Sequence, residues 1–137
     1  MPHIIVEYSA NIREQIGPEN LIQHVHDAAL RTGVFPIGGT RTRAAERSCY
    51  RIADGHPDNA FVHVALRIGH GRDLATRRRA AEEIFREVCQ FLEPLFQRTP
   101  LGISLEVQEI DPAVSLKKNN LHEHVRARQE RGAAKAH

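Results

Sequence analysis

Cysteine is scarce in this sequence. Cys49 and Cys89 are the two that occur, and neither belongs to a Cys-x-x-Cys pair. That excludes a disulfide-stapled scaffold and a cysteine-based structural zinc site. No apolar run approaches the ~20 residues that a membrane-spanning helix needs. The opening Met1-Pro2-His3-Ile4 lacks the basic stretch and apolar core of a secretory signal. The expectation is therefore a cytoplasmic protein with no membrane partner. No Gly-x-Ser-x-Gly is present to mark a serine nucleophile. The nine histidines offer no metal site by spacing. His24 and His26 are two apart and fall on different faces of a helix, and His122 and His124 lack a third ligand. Neither a metal nor a cofactor is expected.

What is present is the composition of an ordinary globular domain, 41% apolar and 26% charged in 137 residues. The net charge of +2 divides unevenly. Arg126, Arg128, Arg131 and Lys135 against Glu130 make the C-terminal segment +3, and +2 less +3 leaves −1 for the body. A body so near neutrality argues against a nucleic-acid partner.

Ile4, Val6 and Tyr8 alternate with His3, Ile5 and Glu7, the period of a half-buried strand. Gly17-Pro18 opens a helix to about Thr32, with Leu21, Val25, Ala28 and Ala29 on one face and Gly33 to end it. A second strand is expected from about Thr40 to Ile52, then a loop at Asp54-Gly55-His56-Pro57-Asp58-Asn59. The order then repeats. Val62, Val64, Leu66 and Ile68 mark a strand, and Asp73 caps a helix carrying Ala81, Ile84, Phe85, Val88, Leu92 and Leu95. Pro94 sits in that helix as a kink or its final turn. Gly102 opens a last strand over residues 103–109. The reading is an α+β domain over residues 1–125, built of two βαβ units at about 2–58 and 59–112 plus a closing arm. A basic, disordered tail over 126–137 is expected to follow. Two such units give a four-stranded sheet with both helices on one face. Ile5, Phe61 and Ala65 then lie on the other face with nothing in the chain to cover them, which calls for oligomerisation.

Pro2 carries the first candidate chemistry. Proline at this position favours removal of the initiator methionine, which would leave a secondary amine at the head of a strand. Burial and neighbouring cations both lower an amine pKa, so such a nitrogen becomes a competent general base near neutrality. If Met1 is retained, Pro2 is an amide and cannot act so. Arg41 and Arg43 share a strand face by the period of two, and Arg72 follows in the turn Gly69-His70-Gly71-Arg72. Arginine binds carboxylate through paired hydrogen bonds, so arginines converging on one pocket would select a di- or tricarboxylate. Arg77-Arg78-Arg79 reads as a solvated helix face.

Several segments together carry a resemblance. They are Pro2 to Arg13, Thr32-Gly33-Val34-Phe35-Pro36, Arg41-Thr42-Arg43, Ala53-Asp54-Gly55 and Phe61-Val62-His63. Ile68-Gly69-His70-Gly71-Arg72 and Lys118-Asn119-Asn120-Leu121-His122 complete the set. In this order and spacing, from Pro2 to about Val125, the chain resembles the 5-carboxymethyl-2-hydroxymuconate delta-isomerase family of the tautomerase superfamily. The resemblance implies tandem βαβ units in a homotrimer and a cofactor-free isomerase of homoprotocatechuate degradation, downstream of 4-hydroxyphenylacetate. It implies an amino-terminal proline as base, which falls on Pro2, and two site arginines, which fall on Arg41 and Arg72. Arg43 joins them by strand geometry alone. The expected substrate is a small anionic di- or tricarboxylate. Other superfamily chemistries (keto–enol tautomerisation, decarboxylation, dehalogenation) compete with this reading. So does a non-catalytic protein that uses its basic tail on anionic partners.

Overall fold

The computed structural model describes residues 1–136. In chain order the elements are β1 (His3–Ser9), a 3-10 turn at Ala10–Ile12, α1 (Arg13–Ile16), α2 (Pro18–Arg31), a 3-10 turn at Ile37–Gly39, β2 (Arg41–Arg47) and β3 (Ala60–Gly69). There follow α3 (Leu74–Phe96), β4 (Leu101–Ile110), a 3-10 turn at Pro112–Val114 and α4 (Leu121–Ala136). The strands form one sheet in the order β2-β1-β3-β4. β1 runs parallel to β2 and antiparallel to β3, and β3 runs parallel to β4. This is the tandem βαβ arrangement expected from the two passes of alternation.

The alternation works as strand geometry requires. Ile4, Val6 and Tyr8 of β1 and Val62, Val64, Leu66 and Ile68 of β3 are all buried. They join Leu21, Val25 and Ala29 of α2 and Ala80, Ile84, Val88, Leu92 and Leu95 of α3 in one core. The inward stripe of α3 thus passes through Ala80, and Ala81 and Phe85 lie on its flank, half-buried. A helix of 3.6 residues per turn cannot centre both positions 80 and 81 on one contact line, and it is Ala80 that falls in register with Ile84 and Val88. Asp73 caps α3 by accepting the Thr76 backbone N–H at 2.8 Å. Gly33 takes φ +73 immediately past α2, the left-handed conformation that closes a helix.

The other face of the sheet follows from the strand register. Rows across it read Arg41, His3, Arg67, Gln108; then Arg43, Ile5, Ala65, Glu106; then Ala45, Glu7, His63, Ser104. Ile5, Phe61 and Ala65 are there as expected, half-buried, among many charged neighbours. His63 bridges Ser104 Oγ at 2.7 Å and Glu106 Oε1 at 3.0 Å, and Arg47 pairs with Glu7 at 2.7 Å.

Three expectations are corrected. β2 ends at Arg47, short of Ile52, because Arg47 pairs with Ser9, the last residue of β1, and no partner backbone continues beyond it. The segment from Arg126, expected to be disordered, continues α4 as helix through Ala136, and His137 lies outside the described residues. Its alanines, arginines and glutamate are strong helix formers, and Asn119 Oδ1 accepts the Leu121 backbone N–H at 3.0 Å where the helix starts. The third concerns Arg77-Arg78-Arg79. Arg77 donates to the Arg72 carbonyl at 3.2 Å and pairs with Glu109 at 3.3 Å. Arg79 reaches the Thr32 carbonyl and Glu83, both at 3.1 Å. Only Arg78 is free of such partners among the described residues. Across the described residues no helix is long and apolar enough to cross a membrane.

The packing makes a graded prediction. Ile84→Ala, which empties a fully buried site against the sheet, should cost about 2–5 kcal/mol. Asp73→Ala, at an exposed cap, should destabilise by distinctly less. Urea unfolding at one fixed protein concentration checks both; equal losses would mean that the core does not carry the fold.

Candidate active site

The site is built around the start of β1. Pro2 is buried at the entrance of an interior strand, where its missing N–H leaves no ladder position unfilled. Its carbonyl accepts the Arg41 backbone N–H at 3.0 Å, so the first bond between β1 and β2 fixes Pro2 beside Arg41. The 3-10 turn at Ile37–Gly39 passes close by. A Cβ on Gly39 would stand 3.6 Å from Pro2 Cδ, and one on Gly38 would come within 2.8 Å of His122 Cα. Glycine at 38 is what lets the start of α4 sit against this turn.

The arginines are held by neutral oxygens. Arg41 Nη1 donates to the Gly39 carbonyl at 2.9 Å, and Nη2 points at Asn119 Oδ1 at 3.5 Å. Arg72 donates to the Gly69 and Val34 carbonyls, both at 3.3 Å, and its guanidinium lies over the buried Phe35 ring, 5.4 Å from the centroid. Behind it, the Arg77 that grips the Arg72 carbonyl is itself anchored on Glu109, which also meets His70 Nδ1 at 3.2 Å. Arg43 lies apart and exposed, with Nη1 at 3.2 Å from His3 Nδ1.

The electrostatics divide along the same line. The amine at the chain terminus, carried on Met1, is held below its ordinary pKa, first by burial and then by the charges of Lys117, Arg72 and Arg41. Arg43 acts instead on His3, whose pKa is lowered by burial and then by Arg43, Arg41 and Arg67. The structure therefore gathers Pro2, Arg41 and Arg72 around the terminus and leaves Arg43 on the open sheet face.

A cleft of about 320 Å³ opens beside the terminus, lined by Met1, His3, Gly69 and His70 on the sheet side. Ile110 lines it from the end of β4, and Pro112, Ser115, Leu116 and Lys117 from the segment that follows. Lys117, Asn119 and His122 are the residues that sequence reasoning missed. Lys118-Asn119-Asn120-Leu121-His122 contributed to the resemblance, but only the fold shows that its neighbourhood returns to the terminus. Asn119 Nδ2 donates to the Gly38 carbonyl at 3.1 Å, which ties this segment to the turn beside Pro2. Among the described residues no group of three His, Cys, Asp or Glu side chains is placed to hold a metal ion. Cys49 is exposed, and burial pushes the Cys89 thiol up, away from the reactive thiolate.

Comparison with known proteins agrees over nearly the whole chain. Residues 2–125 match the family described as 5-carboxymethyl-2-hydroxymuconate isomerase. A 5-carboxymethyl-2-hydroxymuconate Delta-isomerase of Escherichia coli is 38% identical over 122 residues, 89% of this chain and 97% of its own. A crystal structure of a 5-carboxymethyl-2-hydroxymuconate delta-isomerase superposes with a TM-score of 0.85 at 31% identity, covering 91% of this chain and 93% of the other. The 5-carboxymethyl-2-hydroxymuconate isomerase from Deinococcus radiodurans R1 gives 0.83 at 36% identity, covering 90% and 93%. At 12% identity a fused 4-OT, described as a symmetric trimer, shares the fold alone, with a TM-score of 0.62 over 90% of this chain. With its tandem βαβ sheet and a terminus ringed by cations, the chain belongs to the 5-carboxymethyl-2-hydroxymuconate isomerase family of the tautomerase superfamily and is an isomerase.

Proposed function

We propose that the chain converts 5-carboxymethyl-2-hydroxymuconate to its 2-oxo isomer in the cytoplasmic degradation of homoprotocatechuate, with the amine of Pro2 as the base. The observation that carries this is the half-buried terminus, whose amine is held below its ordinary pKa by burial, Lys117, Arg72 and Arg41. The family match beginning at residue 2 supports the same assignment. Removal of Met1 moves the amine one residue inward, onto a ring that is already buried. A neutral prolyl nitrogen takes the proton of the 2-hydroxyl group. The electron pair moves through the diene, C2 becomes a carbonyl, and the remaining double bond shifts to C3–C4. The prolinium returns the same proton to C5. The proton count balances, and no redox partner enters.

Arg41 and Arg72 bind carboxylates and steady the dienolate charge between the two transfers. Their partners in the free protein are carbonyl oxygens and an aromatic face, so their positive charge stays available. Oriented cations in a site screened from water are worth far more than in bulk solvent. Arg43, beside His3 on the open face, has a supporting role at most through that histidine. Three copies of the chain assemble as a trimer on the open sheet face, where Ile5 and Ala65 sit between the charged edges.

Three outcomes test this reading. Intact mass should show Met1 absent, and acylation of the terminal amine should abolish turnover while circular dichroism stays unchanged. Full activity in protein that keeps Met1 would end the proline mechanism.

Arg41→Ala and Arg72→Ala should each lose about 2–4 kcal/mol of transition-state stabilisation. Either change removes a cation that disfavours the protonated amine, so the pKa of Pro2 rises and the rise of kcat/KM moves to higher pH. Arg78→Ala should match the parent in rate and profile. Arg79 is a poorer control because it holds the Thr32 carbonyl. Identical profiles for all three variants would place the chemistry elsewhere.

Light scattering should give three times the 15.5 kDa chain mass. A fully active monomer would remove the trimer from the proposal.

A further inference from the structure

The two walls of the cleft beside the terminus differ in kind. On one side stand the ordered ends of β1 and β3, through His3, Gly69 and His70. On the other, the end of β4 supplies Ile110 and the segment after it Pro112, Leu116 and Lys117. Lys117 is exposed and makes no ion pair among the described residues. The acids of that stretch are engaged elsewhere: Glu109 is taken by His70 and Arg77, and Asp111 accepts the Ala113 backbone N–H at 2.9 Å. Arg41 and Arg72 do not line the cleft. Each is fastened to backbone carbonyls, Arg41 to that of Gly39 and Arg72 to those of Gly69 and Val34.

The substrate proposed above carries three carboxylates. Two terminate the conjugated diene and lie near its plane. The third hangs from a saturated CH₂ and swings out of that plane. A guanidinium fixed in one orientation suits a carboxylate of fixed direction, because the paired hydrogen bonds demand coplanarity. A lysine suits the third, since its ammonium is a point charge on a flexible four-carbon stem. Ile110, Pro112 and Leu116 give the intervening CH₂ an apolar wall.

We infer that Lys117 is a specificity-determining residue whose ammonium receives the carboxymethyl carboxylate of the substrate. This rests on the proposed function and adds to it the group that separates a tricarboxylate from a dicarboxylate. The residue also reaches the terminal amine by charge, so it belongs to the same electrostatic surroundings as Arg41 and Arg72.

The test compares 5-carboxymethyl-2-hydroxymuconate with 2-hydroxymuconate, the same diene without the carboxymethyl arm. Both are measured on the alkaline plateau of each enzyme's profile, where the amine is neutral in every variant. Lys117→Ala should raise KM for the tricarboxylate about 10- to 100-fold, the loss of one charge-assisted hydrogen bond, with kcat little changed. Its kinetics on the dicarboxylate should match the parent. Lys117→Arg should recover most of the loss, and Lys118→Ala should behave as the parent on both. Equal losses on the two substrates, or none on either, overturn the inference and leave the proposed isomerase standing. A parent enzyme that fails to turn over the tricarboxylate overturns the proposed function itself. Unchanged circular dichroism and particle mass in Lys117→Ala exclude misfolding as the cause.

Discussion

Everything at the site depends on one pairing: β1, the first strand of the chain, is an interior strand. It is bonded to β2 on one side and to β3 on the other, and its first ladder contact is the bond from Arg41 N–H to the Pro2 carbonyl. Strand direction then dictates what meets the terminus. β2 runs parallel to β1, so its beginning, with Arg41, lies beside the beginning of β1. β3 runs antiparallel, so its end and the turn that carries Arg72 arrive at the same place. β4 is parallel to β3, so its end and the segment leading to Lys117 arrive there too. Three cations far apart in sequence converge because of the sheet order, with no need for a long loop to bring them in.

How those cations are held matters as much as where they are. Elsewhere on the molecule arginines pair with carboxylates: Arg13 with Glu46, Arg47 with Glu7, Arg79 with Glu83. Such pairs cancel at a distance and leave little field. Arg41 and Arg72 are instead held by carbonyls and by the face of Phe35, which fix orientation and leave the charge uncancelled. Glu109 is directed to Arg77 and His70, and Arg77 in turn grips the backbone of Arg72. The acid thereby acts as a brace at one remove from the site. A glutamate paired directly with Arg72 would have neutralised the field that lowers the amine pKa.

Much of this was legible in the sequence because it rests on local rules. The alternation of Ile4, Val6 and Tyr8, the cap at Asp73 and the stop at Gly33 are each written in a few neighbouring residues, and each appears in the structure. Arg41 and Arg43 share a strand face, as the period of two requires, yet only Arg41 bears on the terminus. That difference depends on which row of the sheet lies next to Pro2, which is a matter of register. The early end of β2 depends on the length of its partner. The partners of Arg77 and Arg79 come from β4 and from the end of α2, so a run of three arginines gave no sign of them. Lys117 and Asn119 lie beyond the last strand, where neither period nor cap points toward β1. α4 misled for a different reason. Its polarity suggested disorder because no face is apolar, but its composition favours helix, and its start is pinned by Asn119 and by the contact of His122 with Gly38.

The same cations face two demands in the proposed reaction, and the substrate reconciles them. In the free enzyme they must keep the terminal amine neutral, so that it can accept a proton. During turnover the amine must hold that proton long enough to deliver it to C5, and an amine of strongly lowered pKa would be a reluctant carrier. Binding changes the balance, because each carboxylate that docks on a cation offsets part of its charge. The amine then sits among groups whose net positive field is smaller, and its pKa moves upward. Once the hydroxyl proton has been taken, the dienolate adds a further negative charge close to the prolinium and favours its charged form. The base is thus weak while the site is empty and stronger when the substrate is in place. The upward movement on binding favours transfer in each direction, since proton exchange is fastest between groups of matched affinity. On this argument the cations are arranged for a trianion as much as for the amine, with Arg41 and Arg72 set for the carboxylates of the diene and Lys117 for the third.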